Sequence, residues 1–290
     1  MTMFDFPIHM QFDPNAFCNL QCSYCYVHQP ESKWSTRERP TESMSLELIE
    51  KLLKQTKGRW MASLRPFVTG DPLCEPRMPK VVELIKKYNP ARIVLYTNGT
   101  AYVNRHFLIL GISEVHFTLS AASRETYRKV HGRDLYREAI KTIEWLEQQP
   151  SHPAIIMNFI ITKDNIHELP VWMQQWRRFP QARNRAHGYK ESDPESHFLK
   201  VVQIPDEIPI PEDNVIGCNP NLPCSFYDNA IVTADGNLHL CCLSGITFGN
   251  VKDEPLEVLW QRRCANKGDN DDCRNCLFKG RNWDSWMRFF

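Results

Sequence analysis

The distribution of cysteines restricts this chain more than any other feature of its sequence. Eleven cysteines occur in 290 residues, three of them between residues 18 and 25 and seven after residue 217, with only Cys74 between the two groups. Because the number is odd and no export signal is visible, we do not expect a framework of disulfides. Clustered cysteines in a reducing compartment more often bind metal, so the sequence predicts two cysteine-ligated centres.

The overall composition is that of an ordinary globular protein. Hydrophobic residues make up 42% of the chain, charged residues make up 24%, and the formal net charge is +1. This balance gives no electrostatic footprint for nucleic acid or an anionic membrane. The first residues do not show a basic region followed by an apolar run, and no stretch approaches the roughly 18 consecutive apolar residues of a membrane span. We therefore expect a cytoplasmic protein with no membrane or nucleic-acid partner.

The first two thirds of the chain alternate between strand-like and helix-like segments. In chain order, the pattern predicts a strand at 7–12, a helix at 45–56, a strand that ends within 66–69, a helix that begins at Pro79, strands at 92–97 and 115–119, a helix capped by Asp134, a strand at 155–162, a helix at 167–179 and a sixth strand near 183–189. Such alternation is typical of a parallel sheet with helical crossovers. The predicted fold is α/β, a partial (β/α)6 TIM-like barrel.

The pattern changes after about residue 190. Proline, asparagine and aspartate become frequent, predicted helices shorten, and cysteines accumulate. We therefore expect two domains, a barrel over residues 1–200 and a small cysteine-rich hairpin-plus-helix domain over residues 201–290.

The first cysteine group has the spacing C-x3-C-x2-C and directly follows the first predicted strand. Parallel α/β barrels build their active sites on the loops at the carboxyl ends of their strands. Three thiolates on one short loop would hold three irons of a cubane and leave the fourth iron open. The alternative is a zinc site completed by His28 or a distant residue, although zinc loops usually pair their ligands as two C-x2-C units.

The spacing of Cys18, Cys22 and Cys25 resembles the signature of the radical S-adenosylmethionine (SAM) superfamily, C-x3-C-x-aromatic-C, in which Tyr24 fills the aromatic position. The resemblance implies a site-differentiated [4Fe–4S] cluster on these three cysteines, with SAM bound at its open iron. It also implies a flavodoxin-like or ferredoxin-like reductase as the electron donor.

Further segments resemble the same superfamily and follow successive predicted strands. Thr69, Gly70, Asp71 and Pro72 match a Gly-Gly-Glu-Pro-like segment that binds the SAM amino group, with threonine and aspartate as departures from that pattern. The resemblance also implies SAM contacts near Asn98 in the turn after the third strand, near Ser120 after the fourth, and from His131 or Arg133, between which the sequence does not choose.

The second cysteine group surrounds a predicted hairpin with its turn at Asp235-Gly236. Gly236 and Cys241 resemble the Gly-x4-Cys element of SPASM and twitch modules. The resemblance implies an auxiliary [4Fe–4S] cluster on Cys224, Cys241, Cys273 and Cys276, with Cys242 as the competitor for Cys241. Because no cysteine follows Cys276, we expect the shorter, twitch-like form. A zinc ribbon is the structural alternative, and Cys74, Cys218 and Cys264 are expected to be spectators.

The resemblance implies an enzyme that cleaves SAM reductively to a 5′-deoxyadenosyl radical and abstracts hydrogen from a small molecule, leading to oxidation or rearrangement. Two alternatives stay open, a peptide-modifying maturase and a zinc-ribbon binding protein without catalysis. The maturase ranks lower because only 17 residues precede Cys18, which leaves no room there for a peptide-recognition domain. No residue identifies itself as a catalytic acid or base.

Overall fold

A computed structural model of the chain describes residues 5–25, 27, 43–185, 228–242 and 244–266. Its strands form one nine-stranded sheet in the order β6-β5-β4-β3-β2-β1-β7-β8-β9. The strands are β1 (His9–Phe12), β2 (Ser63–Arg65), β3 (Arg92–Thr97), β4 (Glu114–Thr118), β5 (Ala154–Ile161), β6 (Gln181–Arg185), β7 (Asn229–Val232), β8 (Asn237–His239) and β9 (Thr247–Asn250).

The first six strands are parallel to their neighbours and lie in sequence order. This arrangement confirms the predicted partial barrel. Strand β7 adds to the free edge of β1, also in parallel, and the antiparallel strands β8 and β9 follow it. The predicted hairpin at Gly236 is therefore present, and it extends the barrel sheet rather than forming a sheet of its own.

The helices begin and end where local chemistry favours it. They are α1 (Leu46–Lys54), α2 (Met78–Tyr88), α3 (Arg124–His131), α4 (Tyr136–Glu147), α5 (Leu169–Gln175) and α6 (Leu256–Asn266). The hydroxyl of Ser45 accepts the Leu48 N–H at 3.1 Å and caps α1. Helix α3 ends at Gly132, whose φ of 75° is the left-handed conformation that glycine adopts without strain.

Several predicted boundaries were wrong. The second strand ends at Arg65 and does not extend into 66–69, because Pro66 has no N–H to donate to a ladder. Asp134 does not cap α4; its carboxylate pairs with Arg124, and Leu135 precedes the helix without a side-chain cap.

Of the helix predicted at 167–179, α5 covers only Leu169–Gln175, after a 3-10 turn at Ile166–Glu168. The sixth strand begins two residues earlier than expected. Helix α3 was not predicted. The boundary placed at residue 200 lies outside the described residues.

The two faces of the sheet differ in chemistry. On the face that packs against the helices, alternate strand residues join one hydrophobic core, namely Met10, Phe12, Leu64, Ile93, Leu95, Val115, Phe117, Ile155, Met157, Phe159, Ala230 and Val232. The residues between them point to the opposite side, which we call the inner face. Among the described residues, no helix is long and apolar enough to cross a membrane.

Candidate active site at the carboxyl edge of the sheet

Four segments meet at the carboxyl edge of the sheet, and we call them the rim. They are residues 13–25, 66–72, 97–100 and 119–133, the last of which contains α3. The loop with Cys18, Cys22 and Cys25 follows β1, as predicted. Its backbone is held to the end of α3, because the Gln21 N–H donates to the His131 carbonyl at 3.2 Å and the Ser23 N–H donates to the Val130 carbonyl at 2.8 Å.

The His131 ring lies directly against the cysteine loop. Its Nδ1 is 3.2 Å from Cys22 Sγ, and its Nε2 accepts the Ser120 N–H at 3.1 Å. Because Nε2 accepts, the proton of a neutral ring sits on Nδ1 and points at the sulfur. Burial lowers the pKa of His131 to about 3, so the ring is a neutral donor at physiological pH.

Asn98 provides a second donor toward sulfur. Its side-chain nitrogen lies 3.6 Å from Cys18 Sγ and donates to the side-chain oxygen Oδ1 of Asn19 at 3.1 Å. The orientation of the amide is fixed because its own oxygen accepts the Thr100 N–H at 2.8 Å. Two of the three predicted ligand sulfurs therefore face hydrogen-bond donors from other residues. Such contacts around a metal site orient the ligands and tune the properties of the metal.

The three thiols are electrostatically close. Burial raises the pKa of Cys18 to about 12, with a smaller contribution from Asp71. Burial also raises the pKa of Cys22, and Cys25 and Cys18 add to the shift. Thiolates at these positions need a compensating positive charge, which an iron cluster supplies as it displaces the protons.

Tyr127 is a further sign that the site fits such a cluster. Its hydroxyl is buried and has no hydrogen-bond partner in the part of the chain that the structure describes. Burial raises its pKa, and the charges that add most to the shift are those of Cys22, Asp71 and Cys18. A group rich in sulfide and thiolate held by the cysteine loop would offer this hydroxyl an acceptor.

Two buried carboxylates hold the rim loops together. Asp13 accepts the Val68 and Thr69 N–H groups, each at 3.0 Å, and the Thr69 hydroxyl. Asp71 accepts the Leu73 N–H at 2.9 Å, the Asn98 N–H at 2.8 Å and the Thr97 hydroxyl at 2.8 Å. The side chains of Thr69 and Asp71 are therefore occupied within the protein. If this segment contacts SAM, as predicted, its backbone does so.

Gly70 fits its position because no side chain would. A Cβ atom built there would lie 2.9 Å from the Phe17 carbonyl oxygen and 2.7 Å from the Asn15 side-chain oxygen. Both neighbours belong to the cysteine loop, and the next residue, Asp71, donates its N–H to the Phe17 carbonyl at 2.9 Å. Glycine therefore allows the turn after β2 to touch the loop after β1.

Ser120 lies fully buried behind the cysteine loop. Its hydroxyl accepts the Ile160 N–H at 3.0 Å and lies 3.5 Å from the Tyr24 hydroxyl, while its carbonyl accepts the Asn165 amide at 2.8 Å. The side chain of Ser120 therefore joins strands and loop, and a contact between Ser120 and SAM stays a prediction.

The structure distinguishes His131 from Arg133, the two candidates for a SAM contact between which the sequence did not choose. Both ring nitrogens of His131 are occupied by Cys22 and Ser120, so the ring contacts a predicted cluster ligand. Arg133 lies beyond the helix end at Gly132 and is exposed. Of the two, only Arg133 has a side chain free to reach a ligand, and its contact with SAM stays a prediction.

The C-terminal cysteines are only partly within the described residues. Cys241 and Cys242 follow β8, and neither side chain is without an interaction. Cys242 is close enough to Arg65 for their charges to interact. Cys224, Cys273 and Cys276 lie outside the described residues, as do His28 and Cys218, so the choice between Cys241 and Cys242 as ligand stays open.

No set of three or more His, Cys, Asp or Glu side chains within residues 5–25, 43–185, 228–242 and 244–266 converges closely enough to hold a single metal ion. The roles of Asp13, Asn19 and Tyr127 were not predicted. Asn19 occupies an unspecified position of C-x3-C-x2-C, so the motif does not identify it, and each of the three residues interacts with a partner at least 55 residues away.

A partial parallel barrel with three cysteines on the loop after its first strand defines a class of iron–sulfur enzymes. The Radical SAM superfamily matches residues 13–174, which is more than half of the chain, and the SPASM family, described as an iron-sulfur cluster-binding domain, matches residues 224–277. This chain belongs to the radical SAM superfamily. Its cofactors are SAM and [4Fe–4S] clusters, and the second match supports iron–sulfur over zinc in the C-terminal region.

Curated relatives cover part of the chain. A GTP 3',8-cyclase of Chlorobaculum tepidum is 25% identical over 165 residues, which are 55% of this chain and 47% of that protein. A probable GTP 3',8-cyclase of Methanococcus maripaludis is 26% identical over 202 residues, which are 68% of this chain and 65% of that protein. The matches thus span less than two thirds of either relative.

Solved structures share the fold over nearly the whole chain. BtrN in complex with AdoMet and 2-DOIA has a TM-score of 0.54 and 20% identity, covering 96% of this chain and 94% of that one. AdoMet-bound anSMEcpe has a TM-score of 0.68 and 16% identity, covering 95% and 89%. Streptococcus suis SuiB bound to the precursor peptide SuiA has a TM-score of 0.66 and 13% identity, covering 98% and 74%.

Proposed function

We propose that this enzyme abstracts a hydrogen atom from a small polar metabolite and that the net reaction is an oxidation or a rearrangement. When bound, the cluster and SAM supply a 5′-deoxyadenosyl radical for that step. The observation that supports the proposal best is the pair of donors aimed at two predicted ligand sulfurs, His131 at Cys22 and Asn98 at Cys18.

The rim residues have structural tasks in this proposal. Asp13 fixes the loop after β2 against the cysteine loop, and Asp71 fixes the loop after β3 against the loop after β2, so that ligand positions are set before any cofactor binds. SAM would lie along the rim, between the backbone of residues 69–72 and the side chain of Arg133, with Tyr24, Asn98 and Ser120 as the supporting layer. His131 would act on the cluster ligand and not on SAM.

The auxiliary cluster would lie on Cys224, Cys241 or Cys242, Cys273 and Cys276. A cluster whose irons all have protein ligands is suited to electron transfer, so it would accept an electron from the substrate radical. That role makes the net reaction an oxidation. A flavodoxin-like or ferredoxin-like reductase would supply the first electron.

The chemistry of the inner face favours a small polar substrate. Strands β1 to β5 present mostly polar side chains to the space inside the barrel, where closed TIM barrels pack mainly branched apolar residues. They are His9, Gln11, Ser63, Arg65, Arg92, Tyr96, Glu114, His116, Thr118 and Asn158, with the apolar Val94 and Ile156 among them. The curated relatives are named for a nucleotide, GTP, and one structural neighbour is bound to a peptide. A peptide substrate therefore remains the second candidate.

The test uses protein purified and reconstituted without oxygen. Iron and acid-labile sulfide should reach about eight atoms each per chain for two cubanes. With SAM and dithionite, the wild type should form 5′-deoxyadenosine, while Cys18→Ala, Cys22→Ala and Cys25→Ala should each reduce its formation to background. Cys264→Ala, in helix α6, is the matched control and should retain it.

Two results would reject the proposed function. One is 5′-deoxyadenosine formation that persists in the first-loop variants. The other is a wild-type protein that contains zinc and no acid-labile sulfide. Loss of about four irons in Cys273→Ala, with the first cluster retained, would place the auxiliary centre.

A further inference from the structure

Among the described side chains of the inner face, one arginine lacks an acidic partner. Arg65 stands on β2, and its Nε donates to the Ser63 hydroxyl at 3.1 Å, which in turn lies 2.8 Å from His9 Nδ1. No carboxylate of the described part of the chain lies within ion-pair distance of its guanidinium. The other arginine of this face, Arg92, does have a partner, Glu114.

The environment of Arg65 makes an unpaired charge costly. Burial lowers its pKa, and Arg92 lowers it further, while Tyr96, Cys242 and Asp228 partly offset these effects from longer distances. A charge buried without a partner is destabilising. An anion bound to the terminal nitrogens of this guanidinium should therefore stabilise the protein.

A second polar group of the same face also lacks a partner. His116 Nε2 lies 3.4 Å from Glu114, whereas His116 Nδ1 is buried without a hydrogen bond in the described structure. Burial, Arg65 and Arg92 lower the pKa of His116 to about 3, so the ring is neutral. Because the proton of the neutral ring lies on Nε2, toward the carboxylate, Nδ1 is an acceptor without a donor in the described structure.

An aromatic surface lies beside these two groups. The ring of Tyr96 stacks on His116 with centroids 4.1 Å apart and planes 11° apart, and Phe67 packs on it with centroids 5.3 Å apart. Tyr96 is 37% exposed although β3 is an interior strand of the sheet. The space over this ring is therefore open on the inner face.

This group of residues lies below the rim at a suitable distance. Ser120, which adjoins His131 and the cysteine loop, is four residues beyond His116 along β4 and its continuation. At the rise of an extended chain, four residues span at most about 13 Å. Arg65 is the last residue of β2 and directly precedes rim residues 66–72, so a small molecule held by both Arg65 and His116 would lie within reach of the rim.

We infer that Arg65 binds an oxyanion of the substrate, a carboxylate or a phosphate, and that His116 Nδ1 accepts a hydrogen bond from a hydroxyl or amino group of the same molecule. The guanidinium offers two parallel donors, which match both oxyanions. This inference rests on the proposed function, because it assigns one end of the substrate of that same site. It narrows the substrate class to anionic metabolites.

The competing role for Arg65 is a counter-charge to the auxiliary cluster through Cys242. That role predicts a changed spectrum or potential of the auxiliary cluster in Arg65 variants and no change in anion affinity. The two roles therefore separate in one set of variants.

The experiment measures anion binding to the reconstituted holoenzyme with SAM, without oxygen or reductant, in an anion-poor buffer. Calorimetric titrations use inorganic phosphate, pyrophosphate, acetate and citrate. Arg65→Gln should weaken the preferred anion about tenfold or more, which is the effect of losing one charge-assisted hydrogen-bonded pair. Arg65→Lys keeps the positive charge but not the two parallel donors of the guanidinium, so its anion affinity should lie between those of the wild type and Arg65→Gln. Arg178→Gln removes an exposed arginine paired with Glu147 and is the matched control.

A preference for phosphates or for carboxylates would support the subsite and identify the substrate's anionic group. Equal anion affinity in wild type and Arg65→Gln, or no anion binding by the wild type, would overturn it. An altered auxiliary-cluster signal with unchanged anion affinity would also overturn it. The wild-type 5′-deoxyadenosine assay reports on the proposed function separately, so either idea can fail alone.

Discussion

The rim and the inner face differ in how completely their buried polar side chains are hydrogen-bonded. His131 and His116 are both buried, neutral rings, but His131 uses both nitrogens within the protein and His116 leaves one without a partner. Likewise, the Asp71 carboxylate accepts hydrogen bonds from three residues, whereas Arg65 has no acidic partner among the described residues.

The difference distinguishes groups whose hydrogen bonds are complete in the free protein from groups whose hydrogen bonds would be completed by a ligand. Rim groups hold one another, so the predicted ligand sulfurs and the loops around them are positioned without cofactor. The exception is the Tyr127 hydroxyl, which has no hydrogen-bond partner among the described residues. Inner-face groups are left with unused donors and acceptors. Such unsatisfied groups destabilise the free protein, and a complementary molecule that bonds to them removes this penalty.

The largest expected effect comes from filling the contact between two rim loops. Gly70→Ala places a methyl group against the carbonyl of Phe17 and the side chain of Asn15, so the cysteine loop must move. We expect a loss of about 2 kcal/mol or more in the free energy of unfolding and loss of SAM binding. Urea denaturation and a SAM titration measure the two effects.

Gly245→Ala is the matched control, because a Cβ atom there has no neighbour within 4 Å. If Gly70→Ala bound SAM like the wild type, the close contact between these loops would not matter for the site.

The second prediction compares the two histidines directly. His131→Phe leaves the buried Ser120 N–H without an acceptor and should cost about 1–3 kcal/mol. His116→Phe removes an unsatisfied nitrogen while Glu114 keeps Arg92, so its cost should stay within about 0.5 kcal/mol. Parallel urea denaturation curves test the difference. Equal losses would show that the rim and the inner face do not differ as described.

The third prediction concerns pH and Asp13. Burial raises the pKa of this carboxyl to about 6, in spite of its hydrogen bonds to Val68, Thr69 and Gly70. The folded protein therefore binds a proton between about pH 4 and 6 that the unfolded chain does not bind. The stabilisation is complete below about pH 4 and is lost as the pH rises through 6.

Between pH 8 and pH 5.5, this group should add about 1 kcal/mol to the free energy of unfolding. Asp13→Asn should lack that part of the pH dependence, whatever its absolute stability. Denaturation midpoints of both proteins at the two pH values give the comparison. The same slope in both would mean that Asp13 keeps an ordinary pKa.

The smallest expected effect is on the cluster itself. His131→Phe removes an N–H donor to Cys22 Sγ and should lower the reduction potential of the first cluster, because hydrogen bonds to sulfur favour the more negative, reduced state. A potentiometric titration followed by electron paramagnetic resonance reads the shift. His106→Phe, on a ring that packs against Trp145, is the control and should leave the potential unchanged.

Much of the fold could be predicted because it repeats locally. The limits of β3 follow from a buried run that stops at Asn98-Gly99, and the start of α1 follows from Ser45. Errors came where a side-chain partner decided the outcome, as at Asp134, which resembled a helix cap although Arg124 takes its carboxylate. Cys22 and Ser120 hold the ring of His131, while the contact between SAM and His131 or Arg133 stays a prediction.

By itself, the sequence determined the chemistry of the ligands and the order of the elements, because C-x3-C-x2-C and strand–helix alternation are properties of neighbouring residues. Only the tertiary structure decided which donors face the sulfurs, which carboxylates hold the loops and which arginine is left without a partner. Those outcomes depend on contacts between residues such as Asp13 and Thr69 or Cys22 and His131, 56 and 109 positions apart. Spacing along the chain carries no information about such pairs, since the packing of the sheet brings them together.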